Sequence, residues 1–173
     1  AMIASLTLLQ TEDANRHLWL YDTYTGMTEP EDRDVTGPDD SPVRNRWEQA
    51  EQNDGNLWNM VTLEKVKESM FSTGYPRDKI SFVTGKVEDT IPGNIPNEIA
   101  LLRLDTDFYK STYHELNHLF PRLSNNGVLI IDDYGYWKGS REATDEYFAE
   151  NNIGILLHRV DPSSRVAVKT RTD

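Results

Sequence analysis

The sequence predicts an α/β fold in which helices cover both faces of a mostly parallel sheet. Segments with a strand pattern alternate along the chain with segments of helical periodicity, which is typical of such folds. The strand segments are uniformly apolar rather than alternating, as expected for strands that are buried in a parallel sheet. Three of these segments end in an aspartate, and open α/β sheets bind their ligands at the carboxyl ends of the strands.

The individual elements follow from periodicity and from residues that interrupt it. Helices are predicted over residues 2–10, 46–53, 62–71, 109–123 and 140–151, with Ser140 as the N-cap of the last one and Asn126-Gly127 as a turn after the fourth. Strands are predicted over residues 18–21, 80–85, 99–104 and 127–131, followed by an antiparallel hairpin of residues 153–160 and 165–169. Acidic residues, prolines and glycines predict a long loop at about residues 26–56.

Composition and charge exclude several classes of protein. A chain of 173 residues is long enough for one domain with a buried core. It contains no cysteine, so it has neither disulfides nor a thiolate zinc site. Its net charge of −11 disfavours binding to nucleic acid or to an anionic membrane surface. No apolar run approaches a membrane span and no signal-peptide pattern is present, so we expect a cytoplasmic protein.

Aspartates at strand ends are the main functional signal. A buried strand has no structural need for an acid at its tip, and several acids close together repel one another unless something neutralises them. If the strands that end before Asp105 and Asp132 are neighbours, Asp105, Asp132 and Asp133 share one edge of the sheet. Three hard oxygen ligands suit Mg²⁺, or less selectively Mn²⁺ or Ca²⁺. The structural alternative is that Asp132-Asp133 begins a turn and that Asp105 and Asp107 cap the next helix.

Three other patterns allow different chemistry. Asp22 follows a strand at a position that typically binds the ribose hydroxyls of a nucleotide cofactor, although aspartate is also common in turns. The sequence from Asp105 to Asp107 is a DxD pattern, which a glycosyltransferase would use to hold Mn²⁺ on a nucleotide sugar. Residues 114–118, HELNH, match the H-E-x-x-H pattern of zinc hydrolases, and we interpret this as a chance match.

Four segments, in order along the chain, match the motifs of one enzyme family. Residues 102–112, LRLDTDFYKST, and residues 127–135, GVLIIDDYG, are similar to its two acidic signatures. Residues 20–27, LYDTYTGM, resemble its second-strand motif, and residues 66–76, VKESMFSTGYP, also fit. Through these segments the chain resembles the macrocin O-methyltransferase family (TylF/MycF), from about residue 3 to residue 170. The resemblance implies a metal-assisted transfer of a methyl group from S-adenosylmethionine to a sugar hydroxyl of a glycosylated natural product.

The resemblance also implies roles for individual residues. Asp105, Asp132 and Asp133 correspond to the acids that bind Mg²⁺. Contacts to the cofactor are implied for Asp22, Gly85, Val87 and Glu88. The general base is left open between Asp107 and ionisation of a metal-bound hydroxyl without a dedicated base. The acidic loop over residues 29–54 would form part of a substrate lid.

The expected fold is a Rossmann-like methyltransferase sheet, mostly parallel with a C-terminal antiparallel hairpin and without its first strand. The family's first strand and glycine-rich turn should precede residue 3, so we expect one N-terminally truncated methyltransferase-like domain over residues 1–173. A homodimer is one expected assembly. The alternatives to the methyltransferase are the DxD glycosyltransferase and a non-catalytic domain whose sheet is completed by a partner or a second copy.

Overall fold

A computed structural model describes residues 1–54 and 60–170 of the chain, with the side chains of this range except those of residues 51–54. Residues 55 and 56 of the predicted loop lie outside the described range. The helices and strands occur in the order α1 (Met2–Gln10), β1 (Leu18–Asp22), α2 (Val43–Asp54), α3 (Leu63–Ser72), β2 (Ile80–Thr84), α4 (Val87–Thr90), β3 (Ile99–Leu104), α5 (Tyr109–Leu119), β4 (Leu123–Ile131), α6 (Lys138–Glu150), β5 (His158–Arg159) and β6 (Arg165–Val168). Short 3₁₀ helices, Arg77–Lys79 and Phe120–Arg122, precede β2 and β4.

These elements form two compact units. The first consists of Ala1–Thr28 and Ala50–Lys86, and the second of Glu29–Gln49 and Val87–Asp173. The single domain over residues 1–173 stays a prediction.

The first unit contains a pair of parallel strands, β1 and β2, which pair in register along their whole length. Its core includes Met70, Tyr75 and Ile80, against which partly buried apolar residues of α1, β1 and α3 pack. The parallel register places the last residues of the two strands, Asp22 and Thr84, side by side. The predicted strand end at Asp22 therefore lies next to the loop that follows β2.

The second unit contains a four-stranded sheet in the order β3-β4-β6-β5. Strands β3 and β4 are parallel, whereas β6 is antiparallel to both β4 and β5. The predicted α/β fold with an antiparallel C-terminal hairpin is thereby confirmed. The first strand of the hairpin is shorter than predicted, since β5 comprises only two residues.

The sheet of the second unit is buried mainly on one face. Helix α5 contacts both β3 and α6, and the buried sheet residues include Leu102, Leu104, Leu129, Ile131 and Ala167. On the opposite face Leu101 and Val168 are about half exposed, at 55% and 49%. The expectation that residues 127–131 are buried on both faces holds fully for one face only, because Val128 and Ile130 on the other face are partly buried. A strand that is apolar on both faces does not reveal how many of those faces are covered.

Two predicted element boundaries are also wrong. The fourth predicted helix ends at Leu119 rather than at residue 123, because Pro121 lacks the N–H that would continue it. Strand β4 then begins at Leu123, so that Asn126 and Gly127 lie inside the strand instead of forming a turn. Asn126 takes a left-handed conformation there, with φ of 65°.

The last helix begins earlier than predicted. Helix α6 starts at Lys138 with Trp137 as its N-cap, and Ser140 is a buried residue of the first turn rather than a cap. The main-chain oxygen of Asp133 accepts the N–H groups of Tyr136 and Trp137, which folds the chain into the helix start without a capping side chain. Within residues 1–54 and 60–170, no helix is long and apolar enough to cross a membrane.

Candidate active site

The carboxyl ends of β3 and β4 bring three aspartates together. The two strands are parallel with Leu104 opposite Ile131, so Asp105 and Asp132 leave the sheet side by side. The N–H of Asp132 donates to the main-chain oxygen of Leu104 at 3.0 Å, which holds this register past the end of the strand. One carboxylate oxygen each from Asp105, Asp132 and Asp133 lies within 4.8 Å of the others. The predicted convergence of these residues at one sheet edge is thus observed.

Arg103 provides the positive charge nearest to this cluster. Its guanidinium contacts a carboxylate oxygen of Asp105 at 2.7 Å and one of Asp132 at 3.1 Å. Sequence reasoning missed Arg103, although it lies two residues before Asp105 and therefore on the same face of β3. The cation offsets part of the repulsion between these two acids, and it leaves Asp133 without such a partner among the described ion pairs.

A fourth aspartate, Asp107, is fixed beside the cluster. Its backbone is left-handed, with φ of 67°, and its N–H donates to Oδ2 of Asp133 at 3.3 Å. The indole N–H of Trp137 donates to Oδ1 of Asp107 at 3.0 Å. Trp137 is buried and packs edge-on against Phe108, so its indole group has a defined position. These contacts orient the Asp107 carboxylate and connect the end of β3 with the segment after β4.

Burial and repulsion between neighbouring acids raise the pKa values of Asp105, Asp107 and Asp133. Desolvation is the largest cause and the charge of the neighbouring Asp107 the second, and together they raise the pKa of Asp133 to about 9. Desolvation also raises the pKa of Asp105 to about 6, with Arg103 opposing the shift and Asp132 adding to it. The pKa of Asp107 is raised by burial, against the hydrogen bonds that it receives. A bound cation would favour the ionised forms, and three clustered carboxylates are the hard oxygen ligands that suit Mg²⁺.

Glu115 lies directly behind the residues that follow β3. Its side chain is buried, and Oε2 accepts a hydrogen bond from Oγ1 of Thr106 at 2.9 Å. Desolvation raises the pKa of Glu115 to about 8, and the charges of Glu88 and Asp105 act in the same direction. Sequence reasoning considered Glu115 only as part of the HELNH pattern. The signal that could have found it is its position on the face of α5 that also carries the buried Leu116 and Leu119.

The HELNH pattern does not form a zinc site in this structure. Nε2 of His114 lies 3.0 Å from the main-chain oxygen of Ile91, and Nδ1 of His118 lies 2.9 Å from that of His114. Glu115 bonds instead to Thr106. Across the part of the chain that the structure describes, the only group of three potential metal ligands is the aspartate cluster.

The predicted cofactor residues lie in both units. In the first unit Asp22 is exposed, its Oδ1 accepts the N–H of Tyr24 at 2.7 Å, and its main-chain oxygen accepts the N–H of Gly85 at 3.0 Å. Gly85 has φ of 132°, a conformation that side-chain-bearing residues rarely adopt. In the second unit Val87 is buried and Glu88 is partly buried at the start of α4. The cofactor roles of all four residues stay predictions.

The acidic loop is attached to the segment that follows the clustered aspartates. Thr36 forms a β-bridge with Trp137, and the N–H of Lys138 donates to the main-chain oxygen of Val35 at 2.9 Å. The N–H of Gly37 donates to the main-chain oxygen of Tyr136 at 2.6 Å. Residues 35–37 therefore lie alongside the turn between β4 and α6. The predicted long loop ends earlier than expected, because α2 begins at Val43.

Comparisons with known proteins identify related enzymes. A family model described as Macrocin-O-methyltransferase (TylF) matches residues 1–168. The chain is similar to the 8-demethyl-8-(2,3-dimethoxy-alpha-L-rhamnosyl)-tetracenomycin-C 4'-O-methyltransferase of Streptomyces olivaceus, with 34% identity over 86% of this chain and 53% of that protein. It is also similar to the Mycinamicin III 3''-O-methyltransferase of Micromonospora griseorubida, with 30% identity over 93% of this chain and 61% of that protein.

Among solved structures, the O-methyltransferase NovP aligns with a TM-score of 0.81 and 26% identity, covering 98% of this chain and 67% of that one. This similarity confirms the Rossmann-like methyltransferase fold. The chain spans less than two thirds of the length of the two curated relatives, at 53% and 61%.

Proposed function

The chain belongs to the macrocin O-methyltransferase family, and we propose that it is part of an S-adenosylmethionine-dependent O-methyltransferase that acts on a sugar hydroxyl of a glycosylated natural product. The observation that carries this proposal is the family match over residues 1–168, which includes every residue given a role below. The name of the Streptomyces olivaceus relative, an O-methyltransferase of a rhamnosyl compound, supports a sugar as the acceptor. A homodimer and a cytoplasmic location stay predictions.

Asp105, Asp132 and Asp133 are the residues that would hold a divalent cation. Their donor set fits Mg²⁺, with Mn²⁺ or Ca²⁺ as alternatives, since all three offer carboxylate oxygens within 4.8 Å of one another. When bound, the cation would supply a Lewis acid that orients neighbouring substrate oxygens and favours loss of a hydroxyl proton. Binding has to compete with the two ion pairs of Arg103, which contact Asp105 and Asp132.

Asp107 is the residue that we assign to proton transfer. The Trp137 indole holds one of its carboxylate oxygens at 3.0 Å, so the group is oriented beside the aspartate cluster rather than free to rotate. Burial raises the pKa of Asp107, and a higher pKa makes a carboxylate a better proton acceptor near neutral pH. In the proposed reaction Asp107 accepts the proton of the sugar hydroxyl while that oxygen takes the methyl group from the sulfur of S-adenosylmethionine, and S-adenosylhomocysteine is the leaving group. Positioning of the hydroxyl by these side chains contributes the orientation on which such transfers depend.

Asp22 and Gly85 support the assignment of a cofactor site to the first unit. The Asp22 carboxylate is exposed, and its hydrogen bond from the N–H of Tyr24 orients it at the end of β1. An acid at this position suits the two hydroxyls of a ribose. Contacts of Gly85, Val87 and Glu88 to the adenine stay predictions that rest on the family resemblance.

Beyond its DxD pattern, a glycosyltransferase has no observation in its favour. Its DxD pattern, Asp105 to Asp107, lies inside the segment that the methyltransferase family matches. The non-catalytic alternative is distinguished from the proposal by direct measurement of transfer.

The test is methyl transfer from labelled S-adenosylmethionine to a rhamnosylated acceptor, with and without Mg²⁺. Asp132→Asn should lose both turnover and the response to Mg²⁺, because it removes one of three charged ligands. The matched control is Asp89→Asn, an exposed aspartate of α4, which should leave both unchanged. Full activity of Asp132→Asn would contradict the metal assignment, and absence of transfer by the folded chain would contradict its assignment as an active methyltransferase.

A further inference from the structure

Asp34 is the most deeply buried carboxylate among residues 29–50, the part of the acidic loop whose side chains the structure describes. Only 1% of its surface is exposed, although most of the acids around it are exposed. Both of its oxygens accept main-chain hydrogen bonds: Oδ1 from the N–H of Tyr109 and Oδ2 from the N–H of Glu31, each at 2.8 Å. Hydrogen bonds to an ionised group are about twice as strong as those between neutral groups. Asp34 therefore fixes the loop to the first residue of α5, two residues after Asp107.

The first turn of α6 abuts the same carboxylate. A Cβ built on Gly139 would lie 1.9 Å from Oδ1 of Asp34 and 3.0 Å from the main-chain nitrogen of Tyr109. Only glycine fits at this position without moving Asp34. The carboxylate thus lies between the starts of α5 and α6, the two helices that follow the acid-bearing ends of β3 and β4.

The loop that Asp34 anchors continues directly to Trp137. Val35 accepts the N–H of Lys138, and Thr36 forms the β-bridge with Trp137. Trp137 in turn donates its indole N–H to Asp107. One side of the Trp137 backbone is thus held by the loop, while its side chain holds the Asp107 carboxylate.

We propose that Asp34 is a positioning residue, which orders the acidic loop so that Trp137 orients Asp107 beside the aspartate cluster. The catalytic consequence rests on the proposed function, because it requires Asp107 to take part in methyl transfer. The structural part is independent of activity, since it concerns only the contacts from Asp34 to Trp137 and from Trp137 to Asp107. The loop then acts as a fixed wall of the site rather than as a freely moving lid.

The experiment uses the full chain labelled with ¹⁵N-tryptophan and follows the indole N–H signals by NMR. The chain has four tryptophans, so Trp137→Phe assigns the signal of interest. In Asp34→Ala the Trp137 indole signal should move to lower frequency, and its exchange with solvent should accelerate at least about tenfold, because two charge-assisted hydrogen bonds are lost. The matched control is Asp32→Asn, a fully exposed acid of the same loop whose side chain approaches only Arg44, at 3.9 Å, among the described ion pairs, and it should leave the Trp137 signal in place.

Two further variants make the result independent of how well Asp34→Ala folds. Asp34→Asn keeps the side-chain volume but replaces one acceptor oxygen by a donor, and Gly139→Ala displaces the carboxylate from the opposite side. Both should move the Trp137 signal in the same direction. An unchanged Trp137 signal in any folded variant of Asp34 would overturn the proposal.

Steady-state kinetics then tests the catalytic consequence. Asp34→Asn should lower kcat at least about tenfold with little change in the KM for the cofactor, because Asp107 is misoriented while the cofactor contacts remain. A moved signal with unchanged kcat would overturn the positioning role. If the wild-type chain transfers no methyl group, the proposed function fails, and the Trp137 signal alone decides whether Asp34 orders Trp137.

Discussion

Replacing the buried carboxyl group of Glu115 by an amide should change how the stability of the protein depends on pH. Glu115 is buried, contacts the hydroxyl of Thr106, and has a pKa raised by desolvation to about 8 from its usual 4.5. At neutral pH the folded protein therefore keeps a proton on this group that the unfolded chain releases. Between about pH 4.5 and pH 8 the folded state binds more protons than the unfolded state, so its stability falls as pH rises.

The magnitude follows from the two pKa values. Each pH unit within this window costs about 1.4 kcal/mol of unfolding free energy for one group that is protonated in the folded state and ionised in the unfolded state. The loss of stability per pH unit becomes smaller as the pH approaches 8, because the carboxyl group of the folded protein begins to ionise. From pH 5.5 to pH 7.5 the wild type should lose about 2.5 kcal/mol through Glu115 alone. Glu115→Gln removes this contribution, so its stability relative to wild type should rise by that amount.

The assay is urea unfolding at several pH values between 5 and 8, with EDTA present to keep the aspartate cluster free of metal. Only the change with pH is interpreted, because the amide also alters the hydrogen bond to Thr106 at every pH. The matched control is Glu98→Gln, an exposed glutamate that accepts a hydrogen bond from Ser124 in the same way. Parallel pH profiles for wild type and Glu115→Gln would refute the buried, protonated state of Glu115.

Three other changes have defined outcomes. Leu129→Ala leaves a cavity at a fully buried position of β4 and should lower the free energy of unfolding in urea by about 3 kcal/mol. Val128→Ala, on the less buried face of the same strand, should lower it clearly less. Equal losses would contradict a core that lies mainly on one face. Asp107→Asn should lower kcat by about 10²- to 10⁴-fold. Its Mg²⁺ affinity, measured by calorimetric titration, should stay close to that of the wild type. Wild-type turnover in this variant would exclude Asp107 as the base. Gly135→Ala places a Cβ 1.9 Å from a main-chain oxygen and should lower Tm. The control Gly154→Ala should leave Tm unchanged, because its Cβ has no atom within 4 Å. A wild-type Tm for Gly135→Ala would show that the turn can relax.

Local patterns were sufficient to predict much of the fold and the composition of the candidate site. The apolar runs that became β3 and β4 were long and unbroken, and two parallel neighbours necessarily place their carboxyl ends at one edge. Asp105 and Asp132 therefore met as predicted without any knowledge of side-chain packing. Asn126-Gly127 predicts a turn, because a left-handed residue before glycine favours one in isolation. The prediction is wrong because β4 continues through both residues and accommodates the left-handed Asn126.

The partners of the clustered acids could not be predicted, because each depends on a contact between distant segments. Trp137 reaches Asp107 across 30 positions, and Asp34 reaches the N–H of Tyr109 across 75. The burial of Glu115 depends on which face of α5 meets the sheet. Periodicity shows that such a face exists, but it does not show that an acid on that face bonds to Thr106.

The most direct test of the assignment is calorimetric titration of the full chain with S-adenosylhomocysteine, with and without Mg²⁺. The proposed function predicts saturable one-site binding, together with separate binding of Mg²⁺ that Asp132→Asn abolishes. No heat of binding at millimolar ligand, from a sample shown to be folded, would contradict the claim that this chain carries the cofactor site of an O-methyltransferase.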